Sequence, residues 1–117
     1  MKTANGLTVG EKKAVDKLIR GLRELYGANL SRVILYGSKA RGDATEDSDV
    51  DVMVMLRDYR DWNAEFDKVS ELVNAVMEDY NYDLLISFVI KKEEDYSAGL
   101  TPLLLNVRKE GVSLWAR

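Results

Sequence analysis

The sequence predicts an α+β fold, a small mixed sheet of three or four strands with helices packed on it. Two long segments carry apolar residues at helical spacing, and short runs rich in β-branched and aromatic residues lie between them. The connections between these runs differ in length, which predicts both antiparallel and parallel strand pairs. At 117 residues we expect one domain over 1–117, with 1–7 as a flexible lead-in.

The composition excludes several kinds of chemistry. The chain has no cysteine and no histidine, so it cannot form a disulfide, use a thiol nucleophile or supply imidazole ligands. Catalysis would therefore depend on carboxylates, hydroxyls, lysine or arginine. The formal net charge of -3 gives no reason to expect direct binding to a nucleic-acid backbone.

The hydropathy pattern contains no membrane signal. No apolar run approaches the ~20 residues that a membrane-spanning helix needs, and the N-terminus lacks the apolar core of a signal peptide. We therefore expect no membrane association and a cytoplasmic location.

The first predicted helix begins at a capping box. Thr8 supplies the capping hydroxyl, and Glu11 follows three residues later. Gly27 is expected to end the helix as a left-handed C-cap. The apolar stripe of this helix comprises Val15, Leu18, Ile19, Leu22, Leu25 and Tyr26.

Two strands are predicted on either side of a Gly-Ser turn. The first, Arg32 to Tyr36, is a short apolar run that ends at Gly37 and Ser38. The second, Asp49 to Leu56, places alternate side chains on opposite faces. Asp49 and Asp51 therefore share the face that is expected to be open at this end of the strand.

The remaining elements follow the same reasoning. The third predicted strand has Asp83 near its start, on one face with Leu85, Ser87 and Val89. Proline after Thr101 is typical of a first helical turn. In order, we expect a helix within Asp58 to Tyr80, a strand from Tyr82 to Ile90, a charged connection from Lys91 to Ala98, a helix from Thr101 to Glu110, and a short strand from Val112 to Trp115.

The connection lengths predict that three carboxylates meet at one edge of the sheet. The first two strands are joined by only about ten residues, too few for a parallel crossover, so they should pair antiparallel. The second and third strands are joined by a long helix, which favours a right-handed parallel crossover. Parallel neighbours start at the same edge, so we expect Asp83 close to Asp49 and Asp51.

This arrangement predicts a site for a metal ion and a phosphate chain. Asp49 and Asp51 have Cα atoms ~6.5–7 Å apart on one face of a strand. Magnesium takes one or two carboxylates together with phosphate oxygens and water. The turn at Gly37 and Ser38 allows close approach of a triphosphate.

Three further side chains are weighed as site residues. Arg41 or Lys39 could neutralise phosphate charge, Arg41 having the better hydrogen-bonding geometry. Asp83 is the candidate to bind the catalytic metal and to help deprotonate an attacking hydroxyl. Simpler interpretations remain open, with Arg41 as a surface ion-pair partner and the acids Asp43, Glu46 and Asp47 as a solvated loop.

These residues resemble a known family. Gly37-Ser38, ten intervening residues and then Asp49-Val50-Asp51 match the signature of polymerase-β-type nucleotidyltransferases. The longer pattern, Gly37 to Gly42 with Ser48 to Asp51, resembles the minimal nucleotidyltransferase (MNT) subgroup. Tyr82 to Leu85 and Glu110 to Trp115 resemble that subgroup's third-carboxylate strand and its C-terminal segment.

The resemblance implies a nucleotidyltransferase fold and a metal-dependent transfer of a nucleoside monophosphate, AMP from ATP, to a hydroxyl. It also implies that Gly37 and Ser38 hold the triphosphate, that Asp49 and Asp51 bind Mg²⁺, and that Asp83 completes the site. MNT proteins are commonly antitoxins paired with a helical HEPN ribonuclease toxin, which they can neutralise by adenylylation. A HEPN toxin is therefore the expected partner and acceptor.

Other functions remain open from the sequence. The chain could be a non-catalytic antitoxin that masks a surface of its partner, or an enzyme that modifies a small molecule such as an antibiotic. The sequence does not decide between Mg²⁺ and Mn²⁺, which share hard oxygen ligands. It does not identify the nucleobase or decide between a monomer and a homodimer.

Overall fold

The computed structural model describes residues 6–45 and 48–117. Within these ranges no helix is long and apolar enough to cross a membrane. In chain order, the elements are α1 (Val9–Tyr26), β1 (Leu30–Tyr36), α2 (Gly37–Arg41), β2 (Val50–Leu56), α3 (Trp62–Asp79), β3 (Ile86–Lys92), α4 (Glu93–Ala98), α5 (Pro102–Glu110) and β4 (Val112–Ala116).

The four strands form one mixed sheet in the order β3-β2-β1-β4. Strand β1 pairs antiparallel with both β2 and β4, whereas β2 and β3 are parallel. The antiparallel pair follows a short connection and the parallel pair a helical crossover, as the connection lengths predict. The predicted mixed α/β fold is confirmed.

Helices cover both faces of the sheet, because side chains of successive strand residues point to opposite faces. On one face, β1 and β2 contribute Val33, Leu35, Val52 and Val54 to a core shared with α1 and α3. On the other face, a smaller cluster contains Ile34, Met53 and Met55 together with Leu104 and Val107 of α5. The second face is covered along only part of its length, and Asp51 lies on it next to Met53.

The capping box predicted for α1 is present. The Thr8 hydroxyl accepts a hydrogen bond from the Glu11 amide at 3.1 Å, and the Glu11 carboxylate accepts one from the Thr8 amide at 2.9 Å. At the other end, Gly27 has φ 53° and ψ -125°. Its φ is positive as expected, but its ψ lies outside the left-handed helical region, so the predicted left-handed C-cap is wrong in that respect.

The predicted lead-in is wrong at Leu7. This side chain is completely buried in the core shared with α1 and α3. Leucine at this position removes apolar surface from water immediately before the capping box, which fixes the direction in which the chain enters α1. Residues 1–5 of the predicted lead-in lie outside the described residues.

Strand β3 begins later than predicted. Residues 80–85 continue from α3 as a turn, in which Asn81 and Tyr82 have φ values of 54° and 57°. The Asn81 and Tyr82 amides donate to the carbonyls of Glu78 and Met77, so these backbone groups are used to end α3. The predicted strand from Tyr82 to Ile90 is therefore displaced to Ile86–Lys92.

The predicted connection from Lys91 to Ala98 is also wrong, because it contains the end of β3 and the short helix α4. Three acidic residues, Glu93, Glu94 and Asp95, occupy the first turn of α4. Negative charge in the first turn of a helix interacts favourably with the helix dipole, which is a local signal for this helix.

A buried ion pair joins α1 to α2. The Lys39 ammonium lies 2.9 Å from the Glu11 carboxylate, with the two side chains only 4% and 10% exposed. Lys39 follows Ser38 directly, so this pair holds the Gly-Ser turn against the start of α1. Lys39 is thereby removed from the set of residues that could neutralise a phosphate.

The Glu11 carboxylate is stabilised in its ionised form. Burial raises the pKa of Glu11, but the Thr8 amide and the Lys39 ammonium together outweigh burial, and the net pKa lies below the ordinary value of 4.5. A lowered pKa in the folded state means that this group stabilises the fold above about pH 4.5, and that the contribution is lost as the pH falls through the lowered pKa.

Removing one partner of this pair should be strongly destabilising. We expect Lys39→Met or Glu11→Gln to lower the free energy of unfolding by about 3–5 kcal/mol, because each leaves a buried charge without its partner. Urea unfolding at neutral pH measures this loss. Lys12→Met is the matched control, since Lys12 forms an exposed pair with Asp16 that should contribute at most about 1 kcal/mol.

The pH dependence gives an independent check. Glu11→Gln should flatten the decline in stability below about pH 4.5, because the residue that must be protonated is gone. Equal stability of the Lys39→Met and Lys12→Met variants, or an unchanged acid profile in Glu11→Gln, would contradict the assignment.

Candidate active site

The predicted phosphate turn lies at the junction of β1 and α2. Strand β1 ends at Tyr36, Gly37 starts the helix with a φ of 73°, and Gly42 ends it in the left-handed region. The Ser38 carbonyl accepts hydrogen bonds from the amides of Gly42 and Asp43 at 2.9 and 3.2 Å. These bonds close the C-terminal end of the five-residue helix, whereas its N-terminal end has no side-chain cap and carries Ser38, partly exposed, in its first turn.

The turn and the second aspartate are in direct contact. Tyr36 and Asp51 are cross-strand partners in the antiparallel pair of β1 and β2. A Cβ atom placed on Gly37 would lie 2.4 Å from Oδ2 of Asp51. Any other residue at position 37 would displace this carboxylate, so glycine is required here by both the positive φ and the close approach.

The first aspartate is held by the neighbouring parallel strand. The Ser87 hydroxyl of β3 donates a hydrogen bond to Oδ2 of Asp49 at 3.0 Å. Ser87 is also the register partner of Asp51. Two aspartates, a serine hydroxyl and the Gly-Ser turn therefore meet at one end of the sheet.

The site concentrates negative charge. The pKa of Asp51 is raised, first by burial and then by the charge of Asp49, although Arg41 partly offsets this. Burial and the Asp51 carboxylate likewise raise the pKa of Tyr36. The negative charge of Asp49 therefore disfavours ionisation of Asp51.

Arg41 lies near the site but is engaged by acids. Its guanidinium donates to Asp43 at 3.2 Å and to Glu110 of α5 at 3.4 Å. The side chain is 43% exposed, so these pairs are weak and exchangeable. Its positive charge lowers the pKa of Asp51, against the larger effects of burial and Asp49.

Asp83 does not lie where the sequence predicts. It is exposed in the turn before β3, and its amide donates to the Tyr80 carbonyl. In the described parts of the chain, no three carboxylates lie close enough to share a metal ion. The expected strand start for Asp83 is wrong because the end of α3 uses residues 80–85, and Ser87 lies beside Asp51 instead.

Sequence reasoning missed the parts played by Ser87 and Glu11. The strand alternation already places Ser87 on one face with Asp83, so a shift of the strand start by four residues puts Ser87 next to the aspartates. The capping box predicts only the hydrogen bond between Glu11 and the start of its own helix. Glu11 and Lys39 are 28 residues apart in the sequence, and no local pattern predicts their contact.

The donor set fits a magnesium ion. Asp49 and Asp51 supply hard carboxylate oxygens, and Mg²⁺ commonly uses only one or two of these, completing its octahedron with water and phosphate oxygens. Burial and then the charge of Asp49 raise the pKa of Asp51, so a cation bound beside this carboxylate would favour its ionised form. The residues present therefore suit Mg²⁺ bound together with a phosphate-bearing substrate.

We expect Gly37→Ala to impair the site more than Gly42→Ala. Both glycines have positive φ, 73° and 85°, so both variants carry similar backbone strain, of order 1–3 kcal/mol. Only Gly37 lies against Asp51, because an added Cβ at Gly42 meets nothing within 4 Å. Mn²⁺ binding measured by calorimetry should be lost in Gly37→Ala and kept in Gly42→Ala.

We also expect Asp51→Asn to stabilise the metal-free fold at neutral pH. A pKa raised in the folded state means that ionisation of Asp51 weakens the fold as the pH rises through that pKa, and the neutral asparagine avoids this cost. Urea unfolding in a chelator at about pH 7 should show the gain, and it should vanish below about pH 3.8. Exposed Asp83→Asn serves as control, and a loss of stability in Asp51→Asn would contradict the charge argument.

Comparison with known proteins gives the family of the chain. The profile of the nucleotidyltransferase domain family matches residues 15–110. A candidate protein adenylyltransferase of Methanocaldococcus jannaschii is 29% identical over 108 residues, which are 92% of this chain and 100% of the relative.

Two solved structures share the fold. A chain of the toxin–antitoxin complex MntA–HpeT superposes with a TM-score of 0.60 at 26% identity, covering 88% of this chain and 72% of that one. A candidate minimal nucleotidyltransferase gives a TM-score of 0.53 at 27% identity, covering 87% and 91%. The family profile spans most of the chain and includes the Gly-Ser turn and both aspartates, and the protein belongs to the nucleotidyltransferase domain family.

Proposed function

We propose that this protein transfers AMP from ATP to a hydroxyl group of a partner HEPN toxin, in a reaction that depends on Mg²⁺, and thereby acts as an antitoxin. The observation that carries the proposal is the contact between the Gly37 turn and the Asp51 carboxylate. This contact supports the proposal because one nucleoside triphosphate could reach both the Gly-Ser turn and the carboxylate pair.

Each group has a distinct part in the proposed transfer. The amides of the Gly37–Ser38 turn and the Ser38 hydroxyl bind oxygens of the β- and γ-phosphates. Asp49 and Asp51 would hold Mg²⁺, which supplies charge neutralisation of the triphosphate when bound. The hydrogen bond from Ser87 keeps the Asp49 carboxylate oriented toward the same space.

The bond changes are those of a nucleotidyl transfer. The acceptor oxygen attacks the α-phosphorus of ATP, and its proton passes to solvent through the partly open face where Asp49 and Asp51 lie. The bond from the α-phosphorus to the bridging oxygen breaks, and pyrophosphate leaves with that electron pair. The product is a phosphodiester that joins AMP to the acceptor.

The choice of a protein acceptor is supported by the relatives. The Methanocaldococcus jannaschii relative, which this chain matches over its full length, carries the name of a protein adenylyltransferase. The MntA–HpeT structure is described as a toxin–antitoxin complex. The site lies on the open part of a small sheet. A partner protein that docks there would bring the acceptor hydroxyl with it.

A second candidate function is favoured by one observation. Only two carboxylates meet at the site in the described ranges, with Ser87 in the position where the sequence predicts an acid. A weakened metal site of this kind would suit an antitoxin that masks its partner without modifying it. Neutralisation of the co-expressed toxin by Asp49→Asn/Asp51→Asn would favour masking over transfer.

Transfer can be tested directly with α-labelled ATP, Mg²⁺ and a candidate HEPN toxin that co-purifies with this protein. We expect label on the toxin with the wild-type protein, and at least about a 100-fold lower rate with Asp49→Asn or Asp51→Asn, because developing charge on the phosphate chain loses its counter-ion. Labelled UTP, GTP and CTP in parallel reactions identify the nucleobase preference.

Asp83→Asn is the informative control. Asp83 is exposed in the turn before β3, which supports the expectation that this variant retains most of the transfer rate. A loss as large as that of Asp51→Asn would restore Asp83 as the third acid. Absence of label on the partner with the wild-type protein would overturn the proposed reaction.

A further inference from the structure

The turn between α3 and β3 consists of residues 80–85 and lies beside the aspartate pair. The Val50 amide donates a hydrogen bond to the Leu85 carbonyl at 2.8 Å, which continues the parallel register by one residue and sets Leu85 next to Asp49. Ile86 is buried in the core shared with α1 and α3. Because successive side chains alternate between faces, Leu85 lies on the opposite face, which is the one that carries the aspartate pair.

This turn is anchored to the rest of the protein. The amides of its three central residues, 81–83, donate hydrogen bonds to carbonyls of residues 77–80 at 2.9 to 3.0 Å. The side chains of Tyr80 and Leu84 pack against the core shared with α1 and α3. A surface that is fixed in this way loses little conformational freedom when a partner binds to it, which favours affinity.

Two large side chains of the turn are nevertheless exposed. Tyr82 is 54% exposed and Leu85 is 50% exposed. A single exposed apolar residue is ordinary in a globular protein, but these two are carried by one anchored turn at the edge of the site. Aromatic side chains presented in this way are frequent anchors of protein interfaces.

The turn also keeps features that lower stability. Asn81 and Tyr82 have φ values of 54° and 57°, a conformation that strains the backbone of a residue as bulky as tyrosine. The last turn of α3 contains Glu78 and no basic residue, although negative charge at this end of a helix interacts unfavourably with the helix dipole. Glu78 and Tyr82 are both exposed, so burial in the core does not offset either effect.

Negative charge surrounds the exposed side chains of the turn. Residues 69–90 contain no lysine or arginine. Glu78 and Asp83 are exposed, and neither forms an ion pair in the described parts of the chain. A partner that covers the turn has to supply positive charge, because burying an unpaired carboxylate is unfavourable.

We infer that this turn is the surface on which the acceptor protein docks, through a basic segment next to its acceptor hydroxyl. The inference rests on the proposed transfer to a protein, and it adds where the partner binds and by which chemistry. Apolar groups of the partner cover Tyr82 and Leu85, and its lysine or arginine side chains pair with the carboxylates of Glu78 and Asp83. Because Leu85 lies next to Asp49, a partner seated here brings its hydroxyl to the aspartate pair.

The charge of the turn argues against two other occupants. The phosphates of a nucleic-acid strand would be repelled by the carboxylates. A second copy of this chain, bound in a twofold contact through the turn, would set the same carboxylates of the two copies against each other. A basic protein segment has neither disadvantage.

Docking can be measured separately from transfer. The HEPN toxin that co-purifies with this protein is titrated by calorimetry in a chelator and without ATP, so that the result does not depend on catalysis. We expect Tyr82→Asn and Leu85→Ala each to weaken binding by roughly tenfold or more, because each removes an interface anchor. Asparagine is chosen at position 82 because it tolerates positive φ, and this variant should bind ATP with Mg²⁺ as the wild type does.

Two further variants serve this experiment. Leu25→Ala changes a leucine that is 43% exposed near the other end of α1, and it should bind the toxin like the wild type. Glu78→Lys puts a positive charge in the last turn of α3, so the midpoint of urea unfolding should rise. The same variant should associate with the toxin roughly fivefold more slowly at low salt, and this difference should disappear at high salt.

The opposite changes in stability and association make Glu78→Lys the decisive variant, because slower association in a more stable protein cannot come from unfolding. Asp67→Lys makes the same charge change at an exposed position earlier in α3 and should alter association much less. Equal slowing in both variants would contradict a local charge effect of the turn.

Three further results would overturn the inference. They are toxin binding that is unchanged in Tyr82→Asn and Leu85→Ala, toxin association that becomes faster as salt is added, and a dimer of the protein alone that Leu85→Ala dissociates. Toxin binding that follows the expected variants without transfer of labelled AMP would overturn the proposed reaction and leave the docking surface in place.

Discussion

The structure depends on the contact between the Asp51 carboxylate and Gly37. The antiparallel register that pairs Tyr36 with Asp51 brings the end of one strand to the start of the next. The absence of a side chain at Gly37 lets the carboxylate approach the turn to a distance that no other residue permits. Most of the other site features position one side of this contact: the buried Glu11–Lys39 pair anchors the turn, and Ser87 orients Asp49.

The site is built at a cost to stability. Asp51 is partly buried beside a second carboxylate, which raises its pKa and opposes folding at neutral pH. The buried Glu11–Lys39 pair satisfies its charges internally and does not lower this cost. A divalent cation bound beside Asp51 would lower this cost. The charged residues that support the turn are thus neutralised within the protein, whereas the aspartates need a ligand to neutralise them.

Much of the fold and half of the site could be predicted, because they depend on local signals. Alternation along β2 placed Asp49 and Asp51 on one face, and the connection lengths gave both strand orientations. Asp83 was misplaced because its position depends on where α3 ends. Asn81 and Tyr82, two non-glycine residues with positive φ, extend that ending, and no residue pattern indicates it. The Lys39–Glu11 contact depends on tertiary packing of α1 against α2 and is likewise absent from local patterns.

The central claim is that the turn and the aspartate pair form one site for a metal-bound nucleoside triphosphate. Calorimetric titration with ATP, with and without Mg²⁺, tests this most directly, and Asp51→Asn and Asp83→Asn serve as paired variants. The account predicts binding that requires Mg²⁺, is lost in Asp51→Asn and is retained in Asp83→Asn. ATP binding that is equally strong without Mg²⁺ and in Asp51→Asn would contradict it.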